Sequence, residues 1–107
     1  MTANDEMKID ALLASLWERG LPLLRERLDI LERAGRAASL GELNEALRVE
    51  AVGLAHKFSG TLGMFGYHRG TEIAREMEQL LATPSAASER LSVLTNELRE
   101  TLRIQSY

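Results

Sequence analysis

Two histidines and four glycines lie within "AHKFSGTLGMFGYHRG", residues 55–70. A neutral imidazole is a nucleophile toward phosphoryl groups and a ligand for metals, so His56 and His68 are the first candidates for chemistry. The chain has no cysteine, which excludes a thiol nucleophile and a zinc–thiolate site. The residues around each histidine must therefore indicate which chemistry, if any, it performs.

A shared metal or haem site is not expected from these two histidines. They are twelve residues apart across a predicted helix end, and no third ligand or inward-facing Glu-x-x-His pattern accompanies them. His68 follows Gly66 and lacks a glycine-lined face, so we interpret it as a loop or helix-start residue. The sequence therefore predicts no metal site and favours His56 over His68.

The elements that position His56 are helical, because no alternating segment is long enough to propose a strand. A short first helix runs from about Ile9 to Trp17, and we expect Gly20 and Pro22 to interrupt it. A second helix, whose charged side chains lie on a solvated face, is expected to begin there and end at Gly35.

Local signals also bound the later helices. Ser39 and Glu42 have the spacing of a capping box, which predicts the start of a third helix that ends at Gly66. A fourth helix follows. Met64, near the end of the third helix, and Met77, in the fourth, are both assigned to the core. Thr83 and Pro84 are expected to cap a fifth helix, which presents four leucines: Leu91, Leu94, Leu98 and Leu102.

The whole chain, residues 1–107, is predicted to form one all-α domain. We expect an antiparallel up-and-down four-helix bundle with an additional short N-terminal helix. A net charge of -3 argues against nucleic-acid binding, and no segment resembles a signal peptide or a membrane span. These features favour a cytoplasmic protein, and the start methionine with a complete bundle favours a free-standing one.

His56 is predicted to lie on the outer face of the third helix. At about 100° per residue from Leu54, the apolar residues cluster near roughly 30°, whereas His56 falls near 200°. The residues that share its face are small or apolar: Val49, Val52, Gly53, Ser59, Gly60 and Gly63. Glycine in a helix costs roughly 0.5 to 1 kcal/mol relative to alanine. Either a close helix crossing or a partner that approaches the imidazole could require these glycines.

The segment "AHKFSGTLGMFG" resembles the signature of the histidine phosphotransfer (HPt) domain. Its Ala-His pair is followed at the family's spacing by Phe58, by Gly60 with Thr61, and by a second glycine that ends the helix. The stretch "AREMEQLL", residues 74–81, is similar to the family's next helix. The resemblance implies a four-helix bundle with an extra short helix and a phosphorelay role, in which His56 accepts a phosphoryl group from a receiver-domain aspartate or a kinase pathway.

The same resemblance implies further expectations about the site and its partners. The family commonly has a basic residue three positions after the histidine, where this chain has Ser59, so Lys57 is the expected compensating cation. Ser59 and Gly60 complete the expected phosphoryl support, and docking is assigned to four residues: Val49, Val52, Gly53 and Gly63. The partner is expected to be a receiver domain or hybrid histidine kinase, which would supply Mg²⁺ to a chain that has no cofactor and is not an enzyme. A monomer is favoured; the alternative is a non-phosphorylated helical adaptor or dimerisation module.

Overall fold

The computed structural model describes residues 3–83 and 88–102, whose regular structure is entirely helical. Four helices follow one another: α1 (Ala3–Ser39), α2 (Glu45–Met64), α3 (His68–Ala82) and α4 (Ser88–Leu102). They form a bundle in which α2 packs mainly on α3 and α1 mainly on α4. The predicted all-α class and the bundle of four helices are therefore confirmed.

The predicted break in the first helix is wrong. Helix α1 runs without interruption for 37 residues and contains Pro22, so the expected short N-terminal helix is its first half. Pro22 and Glu18 are both exposed, and the carbonyl group of residue 18 that proline leaves without a donor can face water. The helix continues past Gly35, which packs beside Ser92 of α4; an added β-carbon would lie 3.4 Å from Ser92 Oγ, an ordinary contact distance.

The predicted capping box is also wrong, because the third predicted helix starts later. The N-cap of α2 is Asn44, whose side-chain Oδ1 accepts a hydrogen bond of 2.8 Å from the backbone N–H of Leu47. Ser39 instead ends α1, and its hydroxyl donates to the carbonyl of Gly35 at 3.1 Å. Asparagine is among the best N-cap residues, so this helix start has its own local cause.

The end of α2 agrees with the sequence prediction. Gly66 follows the C-cap residue Phe65 and has a φ of +81°, a left-handed conformation that glycine adopts without steric cost. The next helix begins two residues later, so α2 and α3 form a tight hairpin. At the far end of α3, Thr83 is the C-cap and does not begin the next helix, while Pro84 lies outside the described residues.

The core fills the space between the four helices with leucines and a few larger side chains. Phe58 and Leu62 of α2 are buried against Ile73 and Met77 of α3, and burial of such side chains contributes roughly 1.5 to 3 kcal/mol each. The buried leucines of α1 and α4 continue this core: Leu24, Leu28, Leu31, Leu91, Leu94, Leu98 and Leu102. Helix α2 is therefore fixed along one face, which turns its opposite face outward.

Ion pairs on the surface connect α3 to α4. Arg90 donates to Glu76 at 2.6 Å, and this hydrogen bond lowers the pKa of the Glu76 carboxyl below its usual value. Arg69 similarly donates to Glu97 of α4 at 2.6 Å. Exposed pairs of this kind contribute less than about 1 kcal/mol each, so they help orient α3 while the apolar core holds it in place.

Candidate functional site

His56 projects from the outer face of α2, as the helical periodicity predicted. Its side chain is 74 % exposed, although the neighbouring residues Ala55 and Phe58 are buried. The buried neighbours lock this turn of the helix against the core. The imidazole is thus accessible to a second molecule while its backbone is held in a fixed place.

Glu78 of α3 orients the imidazole. The Nδ1 atom of His56 lies 3.1 Å from Oε1 of Glu78, whose side chain is about one-third exposed. Because a carboxylate can only accept a hydrogen bond, we assign the proton of the ring to Nδ1. The other nitrogen, Nε2, then has a free lone pair and is the nucleophilic atom of the ring.

An open groove between α2 and α3 lies beside the imidazole. From α2 it is lined by His56, Val52 and Ser59, and from α3 it is lined by Arg75, Glu78, Gln79 and Ala82. The hydroxyl of Ser59 donates to the backbone carbonyl of His56 at 2.7 Å. The groove thus combines an exposed imidazole, a carboxylate within hydrogen-bond distance of it and a guanidinium group.

The glycines predicted to surround His56 are on its face and are exposed. A β-carbon added to Gly53 or Gly60 would meet no atom within 4 Å, while one added to Gly63 would lie 3.7 Å from Thr71 Oγ1. A close helix crossing therefore does not explain Gly53 and Gly60. Val49, which is 56 % exposed, continues this low surface toward the start of α2, and Val52 is half-buried at its edge.

Met64 adds an apolar group at the other end of α2. Its side chain is 66 % exposed, so the assignment of Met64 to the core is wrong, whereas Met77 is fully buried as expected. Because the helical stripe that faces the core ends with Leu62, the last turn of α2 points Met64 outward.

Two other sequence candidates lie apart from the groove. Lys57 is exposed but is not among the groove-lining residues, because it projects about 100° around the helix from His56. His68 is the exposed first residue of α3, ten residues before Glu78 and thus roughly 15 Å away along the helix axis. The structure therefore separates the environments of the two histidines.

Sequence reasoning missed Glu78 and Arg75. Both belong to the stretch 74–81 and share one face of α3 with Gln79 and Ala82, at the spacings of three, four and seven residues that mark a helix face. That face was recognisable from the sequence. Its pairing with His56 was not, because the register between two helices depends on how their cores pack.

Neither a metal cluster nor a membrane helix accompanies this site in residues 3–83 and 88–102. No group of three or more His, Cys, Asp or Glu side chains there is arranged to hold a metal ion. Among the same residues, no helix combines the length and the apolar character that a membrane crossing needs.

Comparison with known proteins agrees with the geometry of the groove. The family model of the Hpt domain matches residues 15–104, and the chain therefore belongs to the Hpt domain family, whose members carry the histidine of two-component phosphorelays. The chain is also similar to protein RcaC of Microchaete diplosiphon, with 33 % identity over 79 residues, which is 74 % of this chain and 12 % of that protein. It spans only a small part of this relative's length. No solved structure gives a significant match.

Proposed function

We propose that His56 is the phosphoacceptor of this Hpt domain. It receives a phosphoryl group from the aspartyl phosphate of a receiver domain, or from a hybrid histidine kinase, and passes it to another receiver domain. The observation that supports this proposal is the combination of an imidazole that is 74 % exposed with a hydrogen bond from its Nδ1 to Glu78. That hydrogen bond leaves Nε2 as the nucleophile.

The transfer needs no general base from this chain. The lone pair of Nε2 forms a bond to phosphorus while the bond from phosphorus to the aspartate oxygen breaks, and the aspartate leaves as a carboxylate. The Nδ1 proton stays in place, so the phosphorylated ring is a cation that faces the Glu78 carboxylate. The reverse sequence returns the phosphoryl group to the next receiver.

The partner supplies the remaining parts of the reaction. Phosphoryl transfer needs in-line positioning and neutralisation of charge, and we assign the Mg²⁺ and the reacting aspartate to the receiver domain. This chain acts as a carrier with no cofactor of its own and is not an enzyme. The receiver docks on the low outer face of α2, which has four predicted docking residues: Val49, Val52, Gly53 and Gly63.

Three further expectations complete the proposal. The four helices follow an antiparallel up-and-down order, for which the short connections at 40–44 and 65–67 provide support. The domain acts as a monomer, since each docking face would then be open to a receiver. Its exchange takes place in the cytoplasm, which the acidic, cysteine-free sequence favours.

Radiolabelled phosphoryl transfer tests the assignment of His56. The chain is incubated with a receiver domain that carries labelled aspartyl phosphate, and the product is analysed for acid-labile, base-stable phosphohistidine. We expect wild type and the control His68→Gln to acquire label, and His56→Gln to acquire none. The control removes the other exposed imidazole from the same chain.

The adaptor alternative gives a different result in the same experiment. An adaptor would bind the receiver, as measured by isothermal titration calorimetry, but would acquire no label in any variant. Label that persists in His56→Gln and disappears in His68→Gln would contradict our assignment of the acceptor. Ser59 is the feature that favours the adaptor. Its hydroxyl already donates a hydrogen bond to the His56 carbonyl, and its side chain adds no positive charge beside the imidazole.

A further inference from the structure

The groove beside His56 has an unusual balance of charge for a phosphoryl site. Glu78 places a carboxylate against one nitrogen of the imidazole, and a phosphoryl group on the other nitrogen would add further negative charge to the same small volume. Among the described residues that line the groove, Arg75 is the only lysine or arginine. Its position relative to His56 therefore matters.

Contacts along the α2–α3 pair locate Arg75. His56 contacts Glu78, and a β-carbon added to Gly63 would lie 3.7 Å from Thr71 Oγ1, so advancing along α2 means going back by the same number of residues along α3. Arg75 lies four residues after Thr71 and three before Glu78, on the same helical face as both. It is therefore level with Ser59, one turn of α2 beyond the imidazole.

Within the described residues, the Arg75 guanidinium has no ion-pair or hydrogen-bond partner, and its residue is exposed. The other arginine of α3, Arg69, is held by Glu97 and Glu72. Arg75 can thus move toward a new anion without losing an existing partner.

We propose that Arg75 binds the phosphoryl group that His56 carries on Nε2, and so supplies from α3 the positive charge that Ser59 does not supply from α2. This inference rests on the proposed function of His56. A guanidinium has a planar array of donors that can form two hydrogen bonds to phosphate oxygens, and its charge persists at every physiological pH. It also offsets the charge of Glu78, which lets one carboxylate orient the ring without repelling the phosphoryl group.

Lys57 is the competing cation. It adjoins His56 in sequence, but its direction on the helix carries it away from the groove, and an ammonium group binds phosphate as a single point charge. Arg75 lines the groove one turn beyond His56, and its guanidinium can contact the phosphoryl group with two nitrogens. We therefore assign the larger effect on the phosphoryl group to Arg75.

The test compares Arg75→Gln with Lys57→Gln and with the control Arg19→Gln, which removes the same charge from an exposed position on α1. Each protein is phosphorylated by phosphoramidate, a small donor that needs no receiver, and its phosphohistidine is titrated by ³¹P nuclear magnetic resonance. The rate of phosphoryl acceptance from a receiver is measured in parallel. Thermal unfolding checks that every variant is folded.

We expect Arg75→Gln to move the ³¹P titration to higher pH, because a nearby cation favours the more ionised phosphoryl group. The same variant should accept the phosphoryl group about tenfold more slowly, as expected for the loss of a hydrogen bond to a charged group. Arg75→Lys should recover part of both effects, and Lys57→Gln and Arg19→Gln should stay within about twofold of wild type.

Two results would overturn the inference and leave the proposed function intact. In the first, wild type is phosphorylated, but Arg75→Gln has the same ³¹P titration and acceptance rate as Arg19→Gln. In the second, wild type is phosphorylated, but these two quantities change less in Arg75→Gln than in Lys57→Gln. A wild-type chain that accepts no phosphoryl group from either donor would instead overturn the function of His56, and the inference with it.

Discussion

Two groups of glycines in this bundle have opposite surroundings. Gly35 and Gly70 are buried, and a β-carbon added to Gly70 would approach Leu62 Cδ1 to 2.9 Å. Gly53 and Gly60 are exposed, and an added β-carbon would meet nothing within 4 Å. Gly70 is required by its contact with Leu62 and Gly35 packs closely against α4, whereas nothing within the described fold requires Gly53 or Gly60.

This difference indicates what the glycines of α2 do. Alanine would stabilise an exposed helix position by roughly 0.5 to 1 kcal/mol relative to glycine, so Gly53 and Gly60 lower the stability of the free domain. Both lie on the face of His56, one turn from it on either side. Under the proposed function, these two positions leave room for a partner that brings its own backbone close to the imidazole.

The largest expected effect comes from filling the open face. Gly60→Leu would place a branched side chain beside His56 and hold a docked receiver away from in-line geometry. We expect phosphoryl acceptance from the receiver to slow by about 100-fold, since a displacement near 1 Å can have an effect of this size. Quenched-flow measurement of labelled transfer provides the rate, and phosphoramidate labelling checks that His56 itself still reacts.

Gly20→Leu is the matched control for that variant. Gly20 lies in α1, and an added β-carbon there would also meet no atom within 4 Å. Its replacement should leave the transfer rate unchanged. An equal loss in both variants would mean that the outer face of α2 has no special role in docking.

The buried glycine gives the second prediction. Gly70→Ala should lower the free energy of unfolding by about 1 to 3 kcal/mol, because the added methyl group overlaps Leu62, which is itself fully buried and cannot swing into solvent. Chemical denaturation measures the change. Phosphoryl transfer at low temperature, where the variant is folded, should stay close to the wild-type rate, and a stability equal to that of wild type would show that the core relaxes around the methyl group.

The outward placement of His56 could be predicted from sequence because it depends on periodicity within one helix. The apolar face of α2 is anchored by Phe58 and Leu62, and a residue opposite that face must be exposed whatever the helix packs against. The end of α2 at Gly66 was predictable for a similar reason, since a left-handed C-terminal residue is a local requirement.

Features that depend on tertiary contacts could not be predicted in the same way. The sequence predicted a break at Gly20 and Pro22, yet α1 is continuous, with Trp17 before the proline and Leu24 after it both packed in or against the core. The partners of His56 were missed because Glu78 and Arg75 lie 22 and 19 residues further along the chain, and only the register of α2 on α3 brings them to the groove.

The smallest expected effect is a gain in stability on the open face. The double variant Gly53→Ala/Gly60→Ala should raise the free energy of unfolding by about 1 to 2 kcal/mol, the sum of two exposed glycine-to-alanine replacements in a helix. Urea denaturation measures this gain, and Gly20→Ala should give about half of it. Receiver transfer should slow in the double variant but stay unchanged in Gly20→Ala, because only the former narrows the approach to His56. A double variant that is no more stable than wild type would mean that the fold itself requires these glycines, and the distinction between the two groups would fail.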